Sequence, residues 1–231
     1  GHRVCSDQGP GRAAVLGGNR IPFARANTAY AEVGNQEMLT ATLDGLVARF
    51  GLQGERIGQV TAGAVLKHPR NFNLTREAVL GSALASDTPA ADLQVACATG
   101  MEAIGSLADK IRLGRIDSAI GGGVDSISDA PVSLSDGARR ALLRLNAAKT
   151  MKDRLAALKD LRPGHLAPEP AGAGEPRTGM SMGDHQALTT HRWGITRQAQ
   201  DELAAASHRN LGAAYAAGYM DDLVTPFRGL D

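Results

Sequence analysis

The feature that most constrains this chain is an alternation of short apolar runs with longer segments of helical periodicity between residues 13 and 128. Runs of strand length lie near Ala13–Gly17, Ile57–Leu66, Asp92–Ala96 and Ser118–Gly122. Helices are predicted near Gln36–Phe50, Asn73–Ala85 and Thr99–Leu113. Strands that alternate with helices favour βαβ crossovers, so the predicted fold class is α/β with a mostly parallel sheet covered on both faces.

Glycine and threonine mark the predicted ends and starts of helices. Gly51 follows the first helix and Gly114 the third, where glycine can adopt the left-handed conformation that ends a helix. Gly194 is predicted to end a later helix in the same way. Thr196 is the predicted N-cap of the helix that follows, because its hydroxyl can accept a bond from a free backbone N–H.

After Ser128 the alternation stops and the chain changes character. Residues 132–161 are predicted to be helical throughout, with one apolar seam. Residues 162–176 are rich in proline and glycine and form a connection, because proline cannot continue a helix. Two further helices are predicted at 183–193 and 197–217.

Charge and cysteine usage exclude several classes of protein. With 25 Lys and Arg against 24 Asp and Glu, the chain lacks the basic excess of a general nucleic-acid binder. Its two cysteines, Cys5 and Cys97, lie far apart and show no metal-ligand spacing. We therefore expect no disulfide framework, no metal site and a reducing, cytoplasmic location. No apolar stretch approaches the ~18 residues of a membrane span, and no secretory signal is predicted.

Cys97 is the residue best placed for chemistry, because it lies where a predicted strand ends and a helix begins. Open α/β sheets bind ligands at the carboxyl ends of their strands. A helix N-terminus also favours the thiolate form of a cysteine, which is the nucleophilic form. The small neighbours Ala96, Ala98 and Gly100 leave room for a substrate. The residues alone leave two interpretations open, a nucleophile and a cysteine that only packs.

Four ordered stretches resemble the thiolases, a family of acyl-CoA-cleaving and Claisen-condensing enzymes. Residues 95–104, VACATGMEAI, resemble the motif of the family's acyl-accepting cysteine. Residues 20–23, RIPF, resemble its R-T-P-F motif, and 121–128, GGGVDSIS, resemble its G-G-x-E-x-M-S turn. The stretch SMG at 181–183, followed by WGITR at 193–197, is similar to its loop domain.

Three positions depart from the family motifs. Gln94 stands where asparagine is common, and Asp125 and Ile127 replace glutamate and methionine. Segments 128–131, 145–149 and 166–169 are especially similar to the β subunit of the fatty-acid β-oxidation multienzyme complex, a degradative 3-ketoacyl-CoA thiolase.

The resemblance implies a thiolase-like layered fold, of which this chain covers the first half. Residues 1–12 are expected to form a flexible tail, and 13–128 an N-terminal half-domain that carries the nucleophile. Residues 129–231 are expected to form an inserted, incomplete helical loop domain, with the C-terminal half of the fold absent. The family's Gly-His-Pro histidine and its Cys-x-Gly cysteine have no counterpart in the 231 residues.

The activity implied is thiolytic cleavage of a 3-ketoacyl-CoA, or the reverse condensation, in fatty-acid β-oxidation through an acyl-enzyme at Cys97. Met182 and Ser181 are implied at the substrate pocket. Coenzyme A and acyl-CoA would be substrates, with no tightly bound cofactor. The family further implies a homodimer or homotetramer, and the subgroup a hydratase/dehydrogenase partner subunit. A ketoacyl-synthase-type condensing enzyme and a non-catalytic thiolase-like assembly subunit remain alternatives.

Two further groups of residues have several interpretations. The basic segment 139–159 is interpreted as a solvated helix face, or as a surface for CoA phosphates, a partner or membrane lipid. Six histidines are present, and none has a convincing catalytic partner in the sequence. His185 is the one that lies near a pocket motif. The glycine run 121–123 is predicted to form a tight turn after a strand, since it lacks the Lys-Ser/Thr of a phosphate-binding loop.

Overall fold

The computed structural model describes residues 11–159, 161–172 and 174–231. The chain divides into two compact units, of which the second is Ala130–Ala206. The first unit holds the described residues up to Asp129 together with Ser207–Asp231. Cys5 and most of the predicted tail, 1–12, lie outside the described residues.

The first unit is built on a parallel sheet of three short strands. Strand β1, Gln59–Ala62, is central and lies between β2, Ala90–Asp92, and β3, Ala119–Gly121. The register pairs Val60 with Ala90 on one side and with Ile120 on the other. This arrangement confirms the predicted α/β class with a parallel sheet.

Three helices connect and cover these strands: α1 (Asn35–Phe50), α2 (Leu74–Leu80) and α3 (Thr99–Arg112). The main core cluster joins α1, α2 and the central strand through side chains that are nearly inaccessible to solvent: Leu39, Leu43, Val47, Val60, Ala62, Leu74, Ala78 and Val79. Burial of about 1.5–3 kcal/mol per large apolar side chain makes this cluster the main source of the unit's stability.

The predicted strand at Ala13–Gly17 does not form. Val15 and Leu16 are 86% and 88% exposed, so this apolar run has no surface to pack against. Pairing occurs further along, where Arg20 forms a single parallel bridge with Val224. A parallel strand depends on a partner distant in sequence, and an apolar run alone cannot supply one.

The last residues of the chain pack on the first unit. Arg49 forms an ion pair with Asp222 at 2.9 Å, and the Thr225 hydroxyl donates to Asn19 Oδ1 at 2.9 Å. The rings of Tyr30 and Phe227 lie 5.4 Å apart. Residues 207–231 therefore group with the first unit, whereas the sequence placed 129–231 in one loop domain.

The second unit combines a small antiparallel sheet with helices. Its strands are β4, Val132–Leu134, and β5, Pro168–Pro170. Its helices are α4 (Asp136–Ala147), α5 (Met151–Lys159), α6 (Met182–Arg192) and the first part of α7 (Arg197–Ala216). Neither strand was predicted from the sequence. Residues 132–134 were included in a predicted helix, and the prolines at both ends of β5 indicated a connecting loop. Within the described ranges, no helix is long and apolar enough to cross a bilayer.

The prediction of one continuous helix over 132–161 is wrong. Ser135 caps α4, its hydroxyl accepting from the Ala138 amide at 3.2 Å. The helix ends where Ala148 becomes extended, with ψ 123°. A second helix then begins after Thr150, whose hydroxyl accepts from the Asp153 amide at 3.1 Å. Local side-chain caps of this kind start new helices inside a pattern with uniform periodicity.

The predicted helix ends are confirmed. Gly51, Gly114 and Gly194 have φ values of 65°, 65° and 63°, in the left-handed region that glycine adopts without strain. The Thr196 hydroxyl accepts from the Ala199 amide at 3.2 Å, as expected of an N-cap.

Asp92, the last residue of β2, caps helix α2 from outside that helix. Its carboxylate accepts from the amides of Leu74 at 3.2 Å and Thr75 at 2.8 Å, and pairs with Lys67 at 2.8 Å. Burial alone would raise the pKa of Asp92, but the bonds from Lys67 and Thr75 together outweigh burial and lower it.

Replacing Asp92 by asparagine is expected to make the free energy of unfolding less dependent on pH. A lowered folded pKa stabilises the fold above the unfolded value of about 3.9, and this contribution is lost as pH falls through the folded pKa. At pH 7, Asp92→Asn should cost about 1–3 kcal/mol. Urea unfolding at pH 7 and pH 3 measures the difference in unfolding free energy between the wild type and Asp92→Asn. This difference should be smaller at pH 3. Asp87→Asn, at an exposed ion pair with Arg56, is the control; an equal Asp92→Asn penalty at both pH values contradicts the capping role of the carboxylate.

Candidate active site

Cys97 lies in a tight turn between β2 and α3. The Ala98 amide donates to the Val95 carbonyl at 2.9 Å, and α3 begins at Thr99. Ala96 has a φ of 43°, in the left-handed region that a residue with a Cβ adopts at a cost of about 1 kcal/mol or more. The thiol is free and exposed. The turn thus holds a strained residue directly before an exposed cysteine at the start of a helix.

Thr99 holds this turn in place. Its buried hydroxyl accepts from the Val95 amide at 2.9 Å and donates to the Ala96 carbonyl at 2.7 Å. These two bonds tie the backbone of Val95 and of the strained Ala96 to the first residue of α3. This role of Thr99 was not predicted from the sequence, although a threonine two residues after the cysteine is within reach of that turn.

Replacing Thr99 by valine is expected to loosen the turn, because valine keeps the shape and removes both hydroxyl bonds. We expect a loss of about 1–3 kcal/mol in stability and slower alkylation of Cys97. Thr99→Ser keeps the hydroxyl and is the control. The measurements are urea unfolding and the rate of iodoacetamide labelling of Cys97; wild-type behaviour of Thr99→Val in both would remove the role assigned to Thr99.

Glycines let helix α3 approach the sheet closely at this point. A Cβ on Gly63, just after β1, would overlap the Leu93 carbonyl and lie 2.8 Å from the Thr99 methyl group. A Cβ on Gly121 would lie 3.0 Å from the Ile104 side chain and 3.2 Å from its amide nitrogen. The beginning of α3, and with it Cys97, is therefore set close to the ends of the strands.

The glycine run after β3 continues beside β1. The Gly122 amide donates to the Thr61 carbonyl at 3.1 Å, and the Val124 amide to the Gly63 carbonyl at 3.0 Å. The chain then turns so that the Asp125 carboxylate accepts from the amides of Val65 and Leu66, each at 2.8 Å. The run therefore brings an acidic side chain to the loop that follows β1.

Two of the three departures from the family motifs contact that same loop. Besides Asp125, the Gln94 side-chain amide donates to the Val65 carbonyl at 3.4 Å. Ile127 is 72% exposed. The roles of Gln94 and Asp125 depend on pairing between distant residues and could not be inferred from the sequence.

Ser181 and Met182 lie in the second unit, at the start of α6. The Ser181 hydroxyl accepts from the Asp184 amide at 3.1 Å, so Ser181 is the N-cap. Bonds from the Ser181 hydroxyl and, to a lesser extent, the Ser181 amide lower the pKa of Asp184. Met182 begins the helix and is 59% exposed. The structure thus gives Ser181 a capping role; contact of either residue with substrate stays a prediction.

Two histidines have partners that the sequence did not reveal. His68 Nε2 lies 2.8 Å from the Asp129 carbonyl and 3.2 Å from its carboxylate, which also pairs with Arg70 at 3.0 Å. His185 Nε2 lies 3.1 Å from the Thr178 hydroxyl. Among the residues that the structure describes, no group of three or more His, Cys, Asp or Glu side chains is arranged to hold a metal.

The basic segment is partly neutralised on its own helix. Arg139 and Arg140 both pair with Asp136, at 2.5 and 2.6 Å. The hydrogen bond from Arg139 is the main cause of a lowered pKa at Asp136. Helix α5 carries exposed apolar side chains among its cations, with Met151 and Leu155 68% and 57% exposed.

Comparisons with known proteins agree with this architecture. The family model for the thiolase N-terminal domain matches residues 13–231. A 3-ketoacyl-CoA thiolase of Pectobacterium carotovorum subsp. carotovorum is 37% identical over 213 residues, covering 92% of this chain and 49% of the relative. One of Escherichia coli strain 55989 is 35% identical over 217 residues, covering 94% and 50%. The crystal structure of the Bacillus anthracis acetyl-CoA acetyltransferase aligns with a TM-score of 0.72 at 24% identity, over 90% of this chain and 49% of that one.

The chain belongs to the thiolase family, as the match of the N-terminal domain model to residues 13–231 shows. The acetyltransferase structure shows that the thiolase fold is shared. The chain spans about half the length of the curated relatives that it matches.

Proposed function

We propose that this chain is the nucleophile-bearing part of a 3-ketoacyl-CoA thiolase, with Cys97 as the residue that accepts the acyl group. The observation that carries the proposal is the geometry of residues 95–99. An exposed thiol follows a strained residue at a turn into a helix, within the stretch that resembles the family's cysteine motif. Degradation of fatty acids by β-oxidation is the proposed setting, with condensation as the reverse reaction.

The chemistry proceeds in two transfers. The Cys97 thiolate attacks the C3 ketone of a 3-ketoacyl-CoA, and the C2–C3 bond then breaks. The bond's electrons leave on C2, which takes a proton to give acetyl-CoA, while the shortened acyl group stays on sulfur as a thioester. The thiol of free coenzyme A, after loss of its proton, then displaces Cys97 and carries away the acyl group.

These transfers need acid–base groups that the 231 residues do not provide in the family's form. A base must activate each thiol, an acid must protonate the departing carbon, and N–H donors must stabilise the oxyanions. The family's Gly-His-Pro and Cys-x-Gly motifs do not occur in this sequence. We therefore propose that the 231 residues alone support little or no thiolysis.

The other residues have supporting parts in the proposal. Met182, exposed at the start of α6, and Ser181, the N-cap of that helix, are the proposed substrate-contacting residues of the second unit. Coenzyme A and acyl-CoA serve as substrates without a tightly bound cofactor. A homodimer or homotetramer in the cytoplasm, alone or with a hydratase/dehydrogenase subunit, is the proposed assembly. The cations of segment 139–159 form a solvated helix face, or a surface for CoA phosphates, a partner or membrane lipid.

Affinity labelling of the complete enzyme tests the proposal. Bromoacetyl-CoA presents an alkylating carbon on a CoA thioester; the Cys97 sulfur forms the new bond, bromide leaves and the thiol proton passes to buffer. Peptide mass mapping should find Cys97 labelled first, and free coenzyme A should slow this labelling. A Cys97 that stays unlabelled in an active enzyme contradicts the assignment. A requirement for acyl carrier protein would support a ketoacyl synthase, and absence of both labelling and thiolysis a non-catalytic subunit.

A further inference from the structure

One short segment, just after β1, has every backbone polar group bound by a side chain. In Val65–Leu66 both amides donate to Asp125, at 2.8 Å each. The Leu66 carbonyl accepts from Asn35 Nδ2 at 2.7 Å, and the Val65 carbonyl from Gln94 Nε2 at 3.4 Å. The last bond is long and the weakest of the four.

The three side chains reach this segment from separate parts of the fold. Asn35 is the first residue of α1, Gln94 lies three residues before Cys97, and Asp125 follows the glycine run after β3. Val65–Leu66 itself follows the end of β1. The segment therefore ties together the carboxyl ends of all three parallel strands of this sheet, at the edge where Cys97 lies.

Core stability does not explain this arrangement. Val65 is 39% exposed, and Asp125 is an exposed carboxylate that water could solvate equally well. Ordering exposed backbone costs conformational entropy and buries little apolar surface in return. Loops that are fixed in this way on a rigid scaffold are typical of substrate-contacting positions.

We propose that Val65–Leu66 forms a fixed wall of the acyl-CoA site, and that Asp125 is the positioning residue that holds it next to Cys97. Asp125 acts through the two amides and touches no reacting atom. The exposed valine side chain supplies an apolar surface suited to the acyl chain of a thioester. This proposal rests on the function proposed above and adds a determinant of its substrate binding.

The test compares two reagents at Cys97 in the complete enzyme. Bromoacetyl-CoA needs the assembled site, whereas iodoacetamide needs only the thiol in its own intact turn, which Asp125 does not hold. Asp125→Asn keeps the shape and loses an acceptor; Asp125→Ala is the second variant, should the first perturb folding. Asp109→Asn, at an exposed pair 3.9 Å from Arg112 on α3, is the matched control.

For Asp125→Asn we expect labelling by bromoacetyl-CoA to slow roughly tenfold or more, because small displacements of a site cost large factors in rate. Labelling by iodoacetamide should stay within about twofold, since Thr99 still holds the turn and the thiol remains exposed. Hydrogen exchange should quicken at the Val65 and Leu66 amides and remain unchanged in the core. Asp109→Asn should match the wild type in all three measurements.

The failures of the two proposals are distinguishable. If bromoacetyl-CoA does not label wild-type Cys97, the proposed function itself fails. If it labels the wild type, and Asp125→Asn shows the same ratio of the two rates, the function stands and the positioning role of Asp125 is overturned. Equal slowing by both reagents together with a lower unfolding midpoint likewise overturns it, because that result is expected of a purely structural residue.

Discussion

Replacing Cys97 by serine is expected to reduce thiolysis by the complete enzyme by a factor of about 10³ or more, because the acyl-enzyme route is lost. A serine hydroxyl at this exposed turn has the same position but is a far weaker nucleophile near neutral pH. Steady-state cleavage of a 3-ketoacyl-CoA measures the effect.

Stability should change little in the same variant, because the thiol is exposed and the turn is held by Thr99 rather than by Cys97. Cys5→Ser, which removes the other cysteine of these 231 residues, is the matched control and should keep wild-type activity. Cys97→Ser with activity within a few-fold of the wild type would rule out Cys97 as the nucleophile.

Replacing Gly63 by alanine is expected to destabilise the first unit by about 3 kcal/mol or more, as overpacking against rigid backbone does. The added Cβ would overlap the Leu93 carbonyl, which cannot move freely because the Leu93 amide is bound to the Ala62 carbonyl at 3.0 Å. The same Cβ would press on Thr99, so labelling of Cys97 should also slow.

Urea unfolding followed by circular dichroism measures the loss in Gly63→Ala. Gly105→Ala is the control, because a Cβ added to Gly105, in α3, would have no neighbouring atom within 4 Å outside its own helix backbone. In the control, alanine should be neutral or stabilise the helix by up to about 1 kcal/mol. Equal stabilities of Gly63→Ala and the wild type would mean that α3 does not pack on the sheet as closely as described.

Local signals predicted the parts of the fold that depend on neighbouring residues. Gly51, Gly114 and Gly194 each ended a helix, and α3 began at Thr99 as predicted. The strand predicted at Asp92–Ala96 lies earlier, at Ala90–Asp92. The strand predicted at Ala13–Gly17 failed because strand formation depends on a partner elsewhere in the chain.

In the candidate site, too, features set by neighbouring residues were predictable and contacts between distant residues were not. Cys97 could be singled out from its sequence context, since a cysteine between a strand and a helix has a known geometric meaning. The bonds that the amides of Val65 and Leu66 donate to the Asp125 carboxylate span 60 and 59 residues. Neither residue type nor spacing in the sequence reveals contacts between residues so far apart. Only the structure shows that Asp125 holds the loop after β1.

The central claim is that Cys97 carries the acyl group during turnover. Its most direct test is brief incubation of the complete enzyme with a 3-ketoacyl-CoA in the absence of free coenzyme A, followed by acid quenching and peptide mass spectrometry. We predict that the peptide containing Cys97 gains the mass of the shortened acyl group, and that added coenzyme A removes it. An active enzyme that carries this acyl group on another residue, with Cys97 unmodified, would contradict the claim.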